Sequence, residues 1–375
     1  MNQMKILYVS TISNTINAFL IPHIKFLIKE GHNVDIACNV QRELPPWLAE
    51  WRCRIFNIEF SRSPLSWSNI SAYRKLRSLI CNEKYDLVHT HTPIASVWTR
   101  LACRDLRDVK VIYTAHGFHF YKGAPLKNWL VYYPIERYLS RYTDVLITIN
   151  QEDYFRARGF HAQKVEYVPG VGISLNNYSP KDVDRIHKRK ELGIPKDTFV
   201  LLSVGELNKN KNHEVIIRAL KLLNNPHVYY LICGEGQLKS YLQELAKTLG
   251  VAEQVKLLGY RDDVLEICQA SDVFIHPSFR EGLPVAVMEA MWSELPVICS
   301  NIRGNSDLIK NGKGGYLVPP FDMCAFADKI EMLRANPAIR ESMGRFNGKA
   351  IVEFGFEHVK HELKRIYNNE SVNLL

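Results

Sequence analysis

Short runs of β-branched and aliphatic residues alternate along the chain with longer stretches whose apolar residues recur every three or four positions. The short runs read as strands buried on both faces, the longer ones as amphipathic helices, and their alternation as parallel βαβ units. Strands are predicted over 5–10, 33–37, 54–60, 86–91, 110–116, 144–150 and 164–169 in the first half. In the second half they are predicted over 199–206, 227–234, 254–260, 272–278, 295–300 and 314–320. Helices are predicted over 18–30, 71–81, 213–223, 238–249 and 321–333. The polar stretch 174–196 breaks the periodicity and reads as a linker. The expected class is α/β: doubly wound, Rossmann-like domains at 1–173 and 197–354, followed by a helical segment, 355–375, that packs on either domain, a return to the first being one option. Ligands of such sheets bind beyond the carboxyl ends of the strands, so a central cleft between the two domains is the expected site.

Composition narrows this picture. Hydrophobic residues at 46% exclude a disordered chain, and 375 residues are enough for two cores. Eight cysteines are scattered without a C-x-x-C pair or zinc-ligand spacing, a pattern of thiols kept reduced. The opening apolar run ends after about five residues and no stretch nears the ~20 needed to span a bilayer, so a cytoplasmic protein with at most peripheral membrane contact is expected. The net charge of +9 is concentrated: residues 1–173 hold 22 basic and 14 acidic side chains. That half either meets a partner of negative charge or carries a solvated basic face.

The residues with most chemistry lie in HPSFREGLPVAVMEAM, residues 276–291. Glu281 and Glu289 are eight positions apart, a little over two helical turns, so both carboxylates can lie toward one site. A Gly-Leu-Pro helix start offers backbone N–H groups to a phosphate. The plainer alternative makes Glu281 a residue favoured by the helix dipole and Glu289 a surface glutamate. SVGELNKNKN places Lys209 and Lys211 after a strand, and CGEG (233–236) lets the backbone come close to a ligand or merely turn.

Together with SVGELNKNKN, CGEG and GYRDDV in this order, the E-x7-E segment resembles the family 4 retaining glycosyltransferases of the GT-B fold. FSRSPLS, HTHTP and YTAHGFHFYKGAPLKNW resemble bacterial capsule and exopolysaccharide glycosyltransferases of the EpsD type. The resemblance spans nearly the whole chain. It implies a nucleotide-sugar donor, UDP-linked, and a polyprenyl-diphosphate-linked saccharide as acceptor. Catalytic roles fall on Glu281, which would bind donor-sugar hydroxyls, and His116, which would position the sugar. Gly205, Lys209, Lys211, Gly234, Glu235, Arg261, Gly282, Leu283 and Glu289 would bind the donor, with Lys211 and the Gly282 and Leu283 amides on the diphosphate and Glu289 on the ribose. Ser10, Thr11, His91 and His119 would lie on the acceptor side, His91 being placed ahead of His89. Glu206 stands where the family usually has Arg, and STISNTINAF replaces its usual Gly-Gly turn. Asp262 and Asp263 are expected to cap a helix.

No cofactor and no metal are expected: the single D-x-D, at 182–184, follows no strand. Basic and aromatic residues mix in segments 60–80 and 121–142, which reads either as a face for an anionic membrane surface or as ordinary helix packing with the aromatics inward; the polyprenyl-linked acceptor that the resemblance implies favours the membrane, and nucleic acid has only net charge behind it. Two rivals share the architecture, a UDP-sugar epimerase and a non-catalytic nucleotide-sugar-binding partner of another transferase. A nicotinamide dehydrogenase lacks its G-x-G-x-x-G after the first strand.

Overall fold

The computed structural model describes residues 3–64, 66–174 and 184–372. The chain divides into two compact units, Met1–Gly172 with Glu357–Leu375, and Ile173–Phe356. Unit 1 holds a parallel sheet of seven strands: β1 (Lys5–Ile12), β2 (Asn33–Asn39), β3 (Ile55–Asn57), β4 (Leu87–His91), β5 (Lys110–Ala115), β6 (Val145–Thr148) and β7 (Lys164–Tyr167), in the order β3-β2-β1-β4-β5-β6-β7. Unit 2 holds six: β8 (Phe199–Val204), β9 (Val228–Cys233), β10 (Val255–Gly259), β11 (Val273–His276), β12 (Val297–Ser300) and β13 (Gly315–Val318), in the order β10-β9-β8-β11-β12-β13.

Helices on both faces explain why the central strands are continuous apolar runs. Leu7 and Val9 of β1 pack with Leu76 and Ile80 of helix Ser68–Glu83 and with Ala95 and Ala102 of helix Pro93–Cys103. In unit 2, Leu201, Tyr230 and Ile275 pack against Ile216 and Leu220 of helix His213–Leu223 and Phe326 and Ile330 of helix Met323–Ala335. Strand order reverses direction between β1 and β4 and between β8 and β11. Each switch point leaves a crevice at the carboxyl ends of its own sheet, where neighbouring connections run to opposite faces.

Several boundaries differ from the sequence reading. The strand expected over 54–60 shrinks to Ile55–Asn57 because it is an edge with one hydrogen-bonding neighbour. The helix expected over 18–30 opens with a π-turn, Ile16–Leu20, before Ile21–Lys29. Residues 175–183 of the expected linker lie outside the described residues, but its later part is helical and belongs to unit 2. Helix Arg185–Glu191 is fastened there by Lys188 to Asp263 and Glu266, and by Arg185 and Arg189 to Asp272. Asp184, the last residue of the D-x-D, caps this helix by accepting from the amides of Ile186 and His187.

Helix Phe356–Val372 packs on unit 1, so two segments distant in sequence build one core. Lys364 pairs with Glu30, and Arg365 with Glu166. Deeper, the buried Tyr367 hydroxyl lies 2.9 Å from that of Tyr8 and against Nδ1 of His89, whose Nε2 meets Thr114 Oγ1. Tyr367→Phe strands two buried polar groups, a cost of about 1–3 kcal/mol. The expected outcome is a lower urea midpoint for unit 1 without loss of the fold by circular dichroism; an unchanged midpoint would remove this contact from the account.

Candidate active site

At the unit 2 switch point, β8 ends in the loop 205–212 and β11 ends at His276, followed by residues 277–284 and helix Val285–Trp292. The three asparagines of the first loop hold backbone. Asn208 accepts from the Lys211 amide and closes the turn Lys209–Lys211, Asn210 donates to the Arg280 carbonyl, and Asn212 donates to the carbonyls of Pro277 and Pro320. Lys211 is thereby aimed at Glu281, its Nζ 2.6 Å from Oε1. His276 Nε2 approaches the same oxygen at 3.0 Å, and the Glu281 carbonyl accepts from Nε of the buried Arg303 at 3.1 Å.

Burial alone would raise the Glu281 pKa, but His276 and the Lys211 ammonium outweigh it and hold the carboxyl well below the usual range. Burial lowers His276 despite its carboxylate neighbour, so the imidazole is neutral and its Nε2–H donates to Glu281. The result is one ionised carboxylate held by a cation and a neutral donor. Beside it, the amides of Gly282 and Leu283 find no acceptor among the described residues. The first-turn amides of the following helix add to this field of donors.

Glycines let the loops meet backbone to backbone. A Cβ on Gly234 would lie 2.0 Å from the Gly205 carbonyl oxygen, and one on Gly304 would lie 2.4 Å from that of Gly282. Both glycines have positive φ, so side chains are excluded on two counts. The expected donor residues Gly205, Gly234, Lys211, Glu281, Gly282 and Leu283 are therefore brought together.

Two profile matches cover the units separately: "Glycosyl transferase 4-like" over residues 5–150 and "Glycosyl transferases group 1" over 184–350. EpsD of Bacillus subtilis, named as a glycosyltransferase, is 38% identical over 97% of this chain and 96% of its own. The chain belongs to the family 4 glycosyltransferases, with the GT-B fold. An Escherichia coli enzyme named UDP-Gal:alpha-D-GlcNAc-diphosphoundecaprenol alpha-1,3-galactosyltransferase is 30% identical over 93% of this chain and 92% of its own. In fold, Anabaena HepE in complex with UDP and glucose matches with a TM-score of 0.82 at 19% identity, over 98% of this chain and all of that one.

Other expected donor residues of this glycosyltransferase sit differently. Lys209 lines a separate cavity of about 600 Å³ with Phe279, Phe321 and Tyr241, and makes no ion pair among the described residues. Glu235 is exposed, its carbonyl accepting from the Leu207 amide. Arg261 is drawn into ion pairs with Asp263 and Glu191. Asp263 does stand at the start of helix Val264–Ala270, yet its side chain caps no amide there, because Arg261 and Lys188 occupy it. Sequence reasoning gave His276 and Arg303 no role in holding Glu281. A histidine closing a strand five residues before the glutamate was the one available signal for the first; nothing in NIRGN marks the second.

In unit 1 the residues expected on the acceptor side are largely buried or engaged with their neighbours. Ser10 is wholly buried and its hydroxyl turns to the Ile12 carbonyl. Thr11 Oγ1 lies 2.7 Å from Thr92 Oγ1, joining the ends of β1 and β4. Neither hydroxyl is presented for a substrate. His91 is 1% exposed, stacked on Tyr8, with Nδ1 3.1 Å from His116 Nε2. It supports His116 from beneath and does not face solvent. His119 packs against Tyr132 while its carbonyl accepts from Asn128. His116 remains half-buried, its pKa pushed down to about 4 by burial and by nearby His23, so its imidazole is neutral.

The carboxyl group of Glu289, on helix Val285–Trp292, has no hydrogen-bond or ion-pair partner among the described residues, and burial pushes its pKa up to about 7 from 4.5. A folded-state value above the unfolded one means that stability is full below pH ~4.5 and is lost as pH rises to ~7, by up to about 3 kcal/mol. Glu289→Gln should flatten this decline, read as denaturation midpoints at pH 5 and pH 8. Equal pH slopes in parent and variant would place the glutamate in water.

Proposed function

We propose that this glycosyltransferase moves a sugar from a nucleoside-diphosphate donor, UDP-linked, to a polyprenyl-diphosphate-linked saccharide of capsule or exopolysaccharide synthesis, with retention of configuration and without a metal ion. The observation that carries the reading is the Lys211–Glu281–His276 cluster beside the unpartnered amides of Gly282 and Leu283. It combines what a nucleotide sugar needs: donors and a cation for the diphosphate, and an ionised carboxylate for sugar hydroxyls. The names of two similar proteins, one acting from UDP-Gal on a diphosphoundecaprenol-linked sugar and one holding UDP and glucose, support the donor and acceptor classes.

In this reading the bond from the anomeric carbon to the diphosphate oxygen breaks as the acceptor oxygen bonds to the same face. Lys211 and the two amides stabilise the charge gathering on the leaving diphosphate, and a diphosphate oxygen takes the acceptor's proton. Glu281 orients the sugar, while Glu289 accepts from the ribose hydroxyls. A neutral His116 positions the sugar without repelling the positive charge that develops on its ring. In this reading the charge of the diphosphate falls to Lys211 and the amides.

Glu281→Gln keeps the shape and removes the charge; turnover, followed as UDP release with membrane extract and a panel of UDP-sugars, should fall roughly 10²-fold or more. Near-normal turnover by the folded variant would remove Glu281 from the chemistry. Lys211→Ala should weaken UDP binding by roughly 10- to 100-fold in calorimetry, the worth of a charged hydrogen bond. Undiminished affinity would turn Lys211 into a purely structural partner of Glu281. Turnover should persist in excess EDTA, and a loss that Mg²⁺ or Mn²⁺ restores would contradict the metal-free reading.

A further inference from the structure

Helix Leu126–Leu139 of unit 1 is turned the opposite way from an ordinary surface helix. Two of its aromatic residues go inward: Trp129 and Tyr133 pack with Phe120, and Tyr133 also with Phe160. Glu136, its one acidic residue, is buried in an ion pair of 2.8 Å with Arg100, which has no exposed surface at all. Arg156 lies over the Trp129 ring, 4.4 Å from its centroid. These contacts fix the roll of the helix about its axis.

What faces outward is consequently aliphatic. Leu126 is 73% exposed, Leu130 69%, Val131 50% and Ile135 41%, with Tyr138 at 50%. At i, i+4, i+5, i+9 and i+12 they form one stripe along the helix. Scattered exposed aliphatics are common, but a stripe running the length of one helix is not. Basic residues predominate on and beside it: Lys122, Lys127, Arg137 and Arg141 are exposed, and the side chains of the first three have no acidic partner among the described residues, while the nearby Glu152 is engaged by Arg156 and the Lys122 amide. The other basic segment of the sequence differs. There Arg77 is held by Asp105, and Lys75 by Glu59.

We infer that the outward face of helix Leu126–Leu139 docks on an anionic lipid surface, its aliphatic stripe entering the interface while Lys122, Lys127, Arg137 and Arg141 meet lipid phosphates. Apolar side chains flanked by unpaired cations, with the neighbouring Glu152 already neutralised by Arg156, complement such a surface, whereas a protein partner or a second copy of this chain would be served better by free charges of both signs. The inference deepens the lipid-linked-acceptor reading and rests on it for its purpose, since docking brings the enzyme to that acceptor. No helix among the described residues is long and apolar enough to cross a membrane, so contact of this kind is the one the helices allow.

The test uses the full chain with vesicles of phosphatidylcholine alone or mixed with phosphatidylglycerol, read by sedimentation at low and high salt. The parent should bind the phosphatidylglycerol vesicles and lose binding as salt screens the charge. Lys127→Glu with Arg137→Glu should reduce binding by roughly tenfold or more, each cation near the surface being worth about fivefold. Leu126→Ser with Leu130→Ser should reduce it comparably at low salt, and all of these positions face outward, so circular dichroism should be unchanged. In Leu130→Trp, tryptophan emission should shift to the blue with the anionic vesicles. UDP affinity should stay at the parental value in every variant, which separates failure of docking from failure of the transferase reading. Parental vesicle binding by both double variants would overturn the inference. So would sedimentation velocity showing a dimer of the parent that the serine variant dissolves, since the stripe would then join two copies.

Discussion

The approach of Lys211 and His276 to a single oxygen of Glu281 is the constraint around which unit 2 is arranged. An ionised carboxylate with little exposure is tolerated only when held by opposite charge and by donors, and removing one partner of such a pair costs on the order of 3–5 kcal/mol. The surrounding loops meet that requirement. Three asparagines hold the backbone on which Lys211 sits, Arg303 takes the Glu281 carbonyl, and Gly234 and Gly304 let neighbouring loops close to distances that no Cβ would permit. The helix start that follows keeps its amides free because Leu283 and Pro284 lead into the helix without a side-chain cap.

The carboxyl ends of the unit 1 strands carry neutral histidines in place of charge. His89 and His91 are buried in a sheet whose covered faces remove water, which disfavours their cationic forms, and His116 is neutral for the same reason. Tyr367 reaches this layer from the far end of the sequence. The last helix is thus part of the support beneath His116, and residues some 250 positions apart in the chain stand on one another. The same unit turns an aliphatic helix face outward, at the cost of surface that water solvates poorly.

The strands were legible because parallel sheets covered on both sides demand uninterrupted apolar runs, and each predicted run overlaps a strand. The 205–212 loop and the Glu281 segment were legible through their resemblance to the family's motifs, since by residue type alone each also reads as an ordinary loop or helix start. Reading failed where orientation decides. Ser10 and Thr11 follow a strand, but β1 continues to Ile12 and turns them inward. His91 alternates with His89 in sequence, yet both are buried because the two faces of this sheet are both covered. The mixed aromatic and basic pattern of segment 121–142 fits both a membrane face and inward packing; Trp129 and Tyr133 pack inward, and Leu126, Leu130, Val131 and Ile135 with Tyr138 make the surface. Arg303 and Arg261 depend on partners remote in sequence, which no local pattern encodes.

Hydrogen exchange measured by mass spectrometry with and without UDP tests the central claim most directly, because the amides of Gly282 and Leu283 have no acceptor among the described residues and should acquire one from the diphosphate. The account predicts new protection in peptides covering 203–212 and 279–289, with the unit 1 peptides covering 5–12 and 110–120 left unchanged by UDP alone. Protection absent from the 279–289 peptide at saturating UDP, or confined to unit 1, would contradict it.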